Sequence, residues 1–243
     1  MQYQDPILHY YNKIAYIHNE VEEIIVGEKY LACKLKNGRL GVCAILNTDF
    51  EFQKTIPLTL DPEKAIDRII LNAYYNARLN ESREYPETSD IFDKVDFTDY
   101  HKIVMIGYFA PLIDKFRLAN IKLDVFDVQK KHENLIPMSQ QIKFVSEADA
   151  LIVSATSISN GSFCTLLNAS SKQSRVFILG PSSILDPHML EYYNIAGIFG
   201  MTFKDNQDEI LKVIADGKGT RSFGKLGRKV YLQLWSSSKS KKD

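Results

Sequence analysis

Between residues 5 and 18 the apolar positions Ile7, Leu8, Tyr11, Ile14, Ala15 and Ile17 recur at helical spacing, and Asp5-Pro6 supplies a cap and a first helical residue. Residues 21–26 and 30–36 read as strands, and Asn37-Gly38 is a strong hairpin signal before a third strand over 39–46. A two-residue turn there sets Lys36 opposite Arg39, Cys33 opposite Val42 and Ala32 opposite Cys43. One face then collects Leu31, Cys33, Leu35, Leu40, Val42 and Ala44, while Ala32, Lys34, Lys36, Arg39 and Cys43 point the other way. On this register Cys33 is core, and a bridge to Cys43 is disfavoured. Asp61-Pro62 predicts the start of a second helix running through Ala65, Ile66, Ile69, Ile70, Ala73 and Tyr74 towards Leu79. These elements make a small α+β unit. The polar, acidic stretch 80–100, interrupted by Pro86, reads as a linker.

Beyond it the pattern changes to alternation. Strands are expected at 102–106, 122–128, 150–153, 176–179 and 195–200, with helices at 112–119, 139–148, 162–169, 187–193 and 205–215, and an edge strand at 229–234. The runs Ala150 to Val153 and Val176 to Leu179 are short, β-branched and continuous, as strands covered on both faces must be. The fold class that follows is α/β, a Rossmann-like doubly wound parallel sheet preceded by the small α+β unit. The division is a first domain over 1–85, a second over 86–235, and a disordered polar tail over 236–243.

In open α/β sheets ligands bind beyond the carboxyl ends of the strands, which singles out three turns. After the first strand come Gly107, Tyr108 and Phe109, ahead of Pro111; the aromatic pair could wall a flat ligand or pack under the sheet edge. The turn after the central strand is dense in hydroxyls, with Ser154, Thr156, Asn160, Gly161 and Ser162. It reads equally as a helix cap through Asn160 or Ser162 and as a seat for a carboxylate or phosphate. The same ambiguity holds for Gly180, Pro181, Ser182 and Ser183. Asp127, about twenty residues beyond Gly107, stands where an acid binds ribose in dinucleotide folds, yet no Gly-x-Gly-x-x-Gly accompanies it.

Other apparent motifs fail on context. Residues 219–226 carry the glycines and Lys225 of a phosphate loop but end in Leu226 and follow a helix, so a plain loop is expected. The five histidines show no metal-binding spacing, Cys164 reads as packed, and Ser182, Asp186 and His188 lack the elbow of a hydrolase triad.

Composition narrows the partners. Thirty basic residues balance thirty acidic ones, so no nucleic-acid partner is expected. No apolar run reaches the roughly 18 residues that span a bilayer, and three scattered cysteines make no disulfide framework, so no membrane association and a cytoplasmic location are expected. A homodimer is compatible with the sequence, which has no feature that measures an interface.

Taken together, GYFAP at 107–111, NGS at 160–162 and GPSS at 180–183 resemble the Rossmann-like domain of the putative heavy-metal chelation family, in which an enolase N-terminal-like domain precedes it. The resemblance covers nearly the whole chain. The family pattern often has Gly at the position of Ala155 and Thr at that of Ser162. What the resemblance implies is a small polar or anionic ligand, a metal ion or metal chelate, bound in a pocket at the strand ends by loop hydroxyls and amides. Whether catalysis occurs is left open, with an enzyme using a nucleotide-like cofactor and a structural or interaction protein as the alternatives.

Overall fold

The computed structural model describes residues 3–46, 55–85, 88–130, 132–192 and 194–233. The tail expected over 236–243 lies outside them. Helix α1 (Pro6–Ile14) leads to a three-stranded antiparallel sheet, β1 (Val21–Val26), β2 (Tyr30–Leu35) and β3 (Leu40–Ala44), and then to the long helix α2 (Ala65–Asn80). The short α3 (Ile91–Lys94) precedes β4 (Ile103–Ile106), α4 (Ala110–Leu118), β5 (Asp124–Phe126), α5 (Gln141–Ser146) and β6 (Ala150–Ser154). There follow α6 (Thr156–Ser159), α7 (Phe163–Ala169), β7 (Arg175–Leu179), β8 (Ile195–Thr202), α8 (Gln207–Ala215), α9 (Thr220–Phe223) and β9 (Arg228–Gln233). The larger sheet has the order β5-β4-β6-β7-β8-β9, parallel except for β9, which pairs antiparallel at the edge.

Local chemistry accounts for several boundaries. The Asp5 carboxylate accepts from the Leu8 amide at 3.1 Å and Pro6 opens α1, as the sequence predicts. Helix α2 departs from expectation. Asp61 closes a turn by accepting from the Glu63 amide at 3.0 Å, and the helix begins only at Ala65. The expected helix near 187–193 is a single 3-10 turn over Pro187–Leu190, with Asp186 accepting from the His188 amide at 2.9 Å. Residues 220–223, expected as loop, form α9, whose Phe223 is buried.

The hairpin register is shifted by one residue. Leu35 donates to the Arg39 carbonyl and Gly38 donates to the Leu35 carbonyl, both at 2.8 Å, so the loop has three residues and ends on Gly38 in the left-handed region (φ 82°). A type I turn followed by a left-handed glycine is the usual three-residue solution. Because side chains alternate along a strand, the slip reassigns the faces. Leu31 now pairs with Cys43 and Cys33 with Gly41, so both thiols lie on one face, in the core beneath α2, and both are free. Ala32, Leu40 and Val42 form the other face and are buried against Ile210, Ile214 and Phe223 of α8 and α9. Gly41 is required at the first face: a Cβ there would lie 2.1 Å from the Ala73 carbonyl oxygen and 2.2 Å from the Ala77 nitrogen.

The second half of the expected linker is structured too. Asp90 caps α3 in a reciprocal box with Asp93, and Ile91, Val95 and Phe97 are buried with Leu112 and Phe116 of α4 against one face of the large sheet. Val145 of α5 and Phe163, Leu166 and Leu167 of α7 cover the opposite face, within a core that continues into α1, α2 and the hairpin. Among the described residues no helix is long and apolar enough to cross a membrane.

Candidate functional site

The helix after β4 packs on one face of the large sheet and the helix after β6 on the other, while β4 and β6 are neighbours. The boundary between them is the switch point of a doubly wound sheet, the place at the carboxyl ends of the strands where such folds have their binding crevice. Gly107 (φ 108°) and Gly180 (φ 128°) both adopt backbone angles that disfavour any side chain. A Cβ on Gly107 would lie 2.8 Å from that of Ser154, so this glycine also lets the two turns approach. The Phe109 ring lies between the two glycines, at 3.2 Å and 3.8 Å from the positions their Cβ atoms would take. Tyr108 is half-buried, with its ring 5.7 Å from that of His132. The Ser154 and Thr156 hydroxyls share a hydrogen bond of 2.8 Å, and both residues are half-buried. Five of the candidate residues, Gly107, Tyr108, Phe109, Ser154 and Thr156, thus gather at the crevice.

Asp127 stands beside it in another capacity. One carboxylate oxygen accepts from the Tyr108 amide at 2.8 Å, and the other accepts from the amides of Gln129 at 2.8 Å and Lys130 at 2.7 Å. Both oxygens hold loop backbone, so the side chain ties the turn after β4 to the turn after β5.

The GPSS turn is a docking element. Helix α2 carries Arg68, Asn72, Asn76 and Asn80 at intervals of four residues, a single stripe in helical geometry, and all four are buried. Asn72 donates to the Ser182 carbonyl at 3.0 Å, Asn76 to those of Pro181 at 2.9 Å and Ser183 at 3.0 Å, and Asn80 to that of Ser183 at 2.9 Å. The Asn80 amide oxygen also accepts from the Leu185 amide at 2.8 Å. The two serine hydroxyls are committed as well. Ser182 accepts from the Ala44 amide at 2.9 Å and Ser183 donates to the Phe199 carbonyl at 2.9 Å, with side chains 1 % and 0 % exposed. Both hydroxyls are thus bonded within the chain, in a buried loop whose backbone is also satisfied from within.

Arg68 extends the stripe to the turn after β6. It donates to the carbonyls of Ile158 at 2.7 Å, Ser159 at 3.0 Å and Pro62 at 3.0 Å, and pairs with Asp5 at 2.7 Å. A guanidinium suits this position, since its fork meets several carbonyls at the end of α6 at once. The thiol of Cys43 lies beside this network, 3.5 Å from the Asn72 amide nitrogen, and burial pushes its pKa up to about 12 against the hydrogen bonds of Ser159, Ser182 and Asn72. So high a pKa is that of a packed, neutral thiol. The helical periodicity of α2 is visible in its apolar residues, but the polar stripe at four-residue spacing is the signal that finds this junction.

The remaining candidates are local. Asn160 accepts from the Ser162 amide at 2.9 Å and from its hydroxyl at 2.7 Å, and Gly161 (φ 78°) completes the turn on the surface. Neither Asn160 nor Ser162 caps α7 through its side chain. His188 stacks on His9 at 3.7 Å and pairs with Glu191, away from Ser182. Two cavities among the described residues lie elsewhere. One of about 500 Å³ is open between the hairpin and the start of α8, where Lys34 pairs with Glu22, and one of about 230 Å³ lies at the end of β8. The crevice residues line neither. Sheet topology and two glycines at positive φ coincide at the strand ends, whereas the larger hollow is a wide groove of charged side chains in which Lys34 pairs with Glu22 and Asp208.

A family model described as "DUF364: Putative heavy-metal chelation" matches residues 90–233. Two solved structures are similar over most of their length. A protein of unknown function from the DUF364 family of Pyrococcus horikoshii shares 19% identity at a TM-score of 0.74, covering 88% of this chain and 93% of its own. Another, from Desulfitobacterium hafniense, shares 18% identity at a TM-score of 0.73, covering 95% of this chain and 99% of its own. No curated protein matches.

Proposed function

The chain belongs to the DUF364 family, whose description is "Putative heavy-metal chelation", and from that premise we propose that it binds a metal already wrapped in a small anionic chelator, in a crevice between the turns after β4 and β6. The observation that supports this reading is the meeting of those turns at the switch point, where a half-buried aromatic, Phe109, stands near the hydroxyl pair of Ser154 and Thr156. Among the described residues no group of three His, Cys, Asp or Glu side chains is arranged to hold a bare ion. A chelated metal needs no such cage. Its organic ligands fill the coordination sphere, and the protein recognises their outer face through hydroxyls, an aromatic wall and the N-terminus of α4, which has no side-chain cap.

The test is calorimetric titration with nickel citrate, nickel chloride and citrate in parallel. Binding of the complex, weakened by Ser154→Ala and Thr156→Val, is the expected result. Equal binding of nickel chloride by wild type and both variants would move the site off the crevice and the ligand to the free ion.

A further inference from the structure

We propose that the stacked pair His9 and His188 is an acid-sensitive latch, which holds α1 against the 3-10 turn over Pro187–Leu190 while both imidazoles are neutral and frees that face of the helix on acidification. None of its residues belongs to the turns after β4 and β6, so it stands apart from the crevice. The two rings lie 3.7 Å apart at an interplanar angle of 12°, one on each element. In the neutral pair each ring has an outlet for a single N–H. His9 Nδ1 is 3.4 Å from the Gln4 amide oxygen, and His188 Nδ1 is 2.9 Å from a Glu191 carboxylate oxygen. That leaves His9 Nε2 as a bare acceptor, buried and without a hydrogen-bond partner among the described residues. A charged imidazole must carry a proton on both nitrogens. On His9 the second N–H would be buried with no acceptor, and with His188 charged as well two like charges would lie ring on ring.

The surroundings do not cancel this cost. On α1 itself Lys13 lies one turn beyond His9, and Tyr10 meets both imidazoles edge-on, at 5.2 Å and 6.2 Å. Opposite stand Asp186, Glu191 and Tyr192, the last with its ring 5.8 Å from that of His188, and α2 contributes Tyr75, 5.5 Å from Tyr10. The two carboxylates favour a charged ring, but Asp186 accepts from the His188 amide, and Glu191 is largely exposed. Burial, His188 and Lys13 outweigh them and hold the His9 pKa below the ordinary 6.5. The stability that the neutral stack gives α1 is therefore complete above pH 6.5 and declines as pH falls through and below that value. The decline reaches up to about tenfold per pH unit in the ratio of docked to released helix. The start of the helix has other anchors, the Asp5–Arg68 pair and the Tyr192 hydroxyl on the Gln4 carbonyl, so acid frees the His9 face and leaves the rest of the fold in place.

The experiment follows the full chain by hydrogen exchange and by NMR of its histidine ring protons, from about pH 7.5 to about pH 5.5, on either side of the ordinary imidazole value. Exchange of the α1 amides, corrected for the intrinsic rate at each pH, should quicken in wild type by up to about tenfold per pH unit on the acid side, with that of α2 little changed. In His9→Phe, which can stack but takes no proton, this acid dependence should vanish. In His188→Phe it should shrink, because the like charge is gone while His9 Nε2 stays buried. The His9 ring protons should titrate below 6.5 in wild type and closer to that value in His188→Phe. The latch is overturned by the same α1 pH dependence in wild type and His9→Phe, by an undiminished acid response in His188→Phe, or by equal quickening across α2. A wild-type His9 titration at or above 6.5 overturns it too, and that measurement needs no variant, so it decides the matter even if a phenylalanine chain fails to fold.

Discussion

The turns after β6 and β7 look alike in sequence, each a buried apolar strand running into small hydroxyl residues, yet they have opposite fates. At Ser182 and Ser183 every side-chain oxygen and every carbonyl named above is held by the chain itself, chiefly by the asparagines of α2. At Ser154 and Thr156 the hydroxyls bond to one another and the residues are only half-buried. The difference lies in what sits opposite. The partners of the GPSS turn on α2 are more than a hundred residues away in the chain, so no local pattern around a turn reports whether it is free. A serine-rich turn at a strand end becomes a candidate site only after the surrounding elements have taken what they need.

The largest effect expected on the docked side is that of Arg68→Ala. Removing a buried cation leaves Asp5 and three carbonyls without their donor, and denaturant unfolding should show a loss of ~3–5 kcal/mol. Asn76→Ala removes two carbonyl partners and should cost about 2 kcal/mol; a change near zero would mean that the stripe does not hold the GPSS turn.

Alkaline pH should loosen the same side. Burial raises both Cys33 and Cys43 from the ordinary 9.0 to about 12, so the neutral thiols favour the fold. Their contribution is present in full below pH 9 and is lost as pH rises towards about 12, on the order of 1 kcal/mol per pH unit for each thiol. Urea unfolding across that range should show the decline, and Cys43→Ala should make it shallower.

Ser182→Ala comes next. It takes the acceptor from the Ala44 amide and should lower stability by about 1 kcal/mol with no effect on ligand affinity. Ser154→Ala should do the reverse, changing stability by less than about 0.5 kcal/mol while weakening the chelate. If Ser154→Ala unfolds the protein as readily as Arg68→Ala, the two turns are not the different things the geometry makes them.

Much of the fold is legible in the sequence because its signals are local. The Asp5-Pro6 cap, the β-branched runs of β6 and β7 and the strand-helix alternation after residue 100 each depend on neighbours within a few residues. The hairpin register was not legible. Asn37-Gly38 serves both two- and three-residue loops, and the choice rests on burying Cys43 beneath α2 and Val42 beneath α8, contacts made far along the chain. Residues 91–97 read as linker because they lie within 80–100, where polar and acidic residues dominate, although Ile91, Val95 and Phe97 fill the face beside α4. At the site, glycines that must adopt positive φ were recognisable from their place at strand ends. The commitment of Asp127, Ser182 and Ser183 to backbone groups was not, because a side chain able to bind a ligand is equally able to bind a loop.

The most direct test is a paired titration of nickel citrate into Ser154→Ala and Ser182→Ala, each with its unfolding free energy measured in the same buffer. Lower affinity with unchanged stability in the first, and unchanged affinity with lower stability in the second, is what the division between open crevice and docked turn predicts. Loss of affinity in Ser182→Ala with none in Ser154→Ala would contradict it.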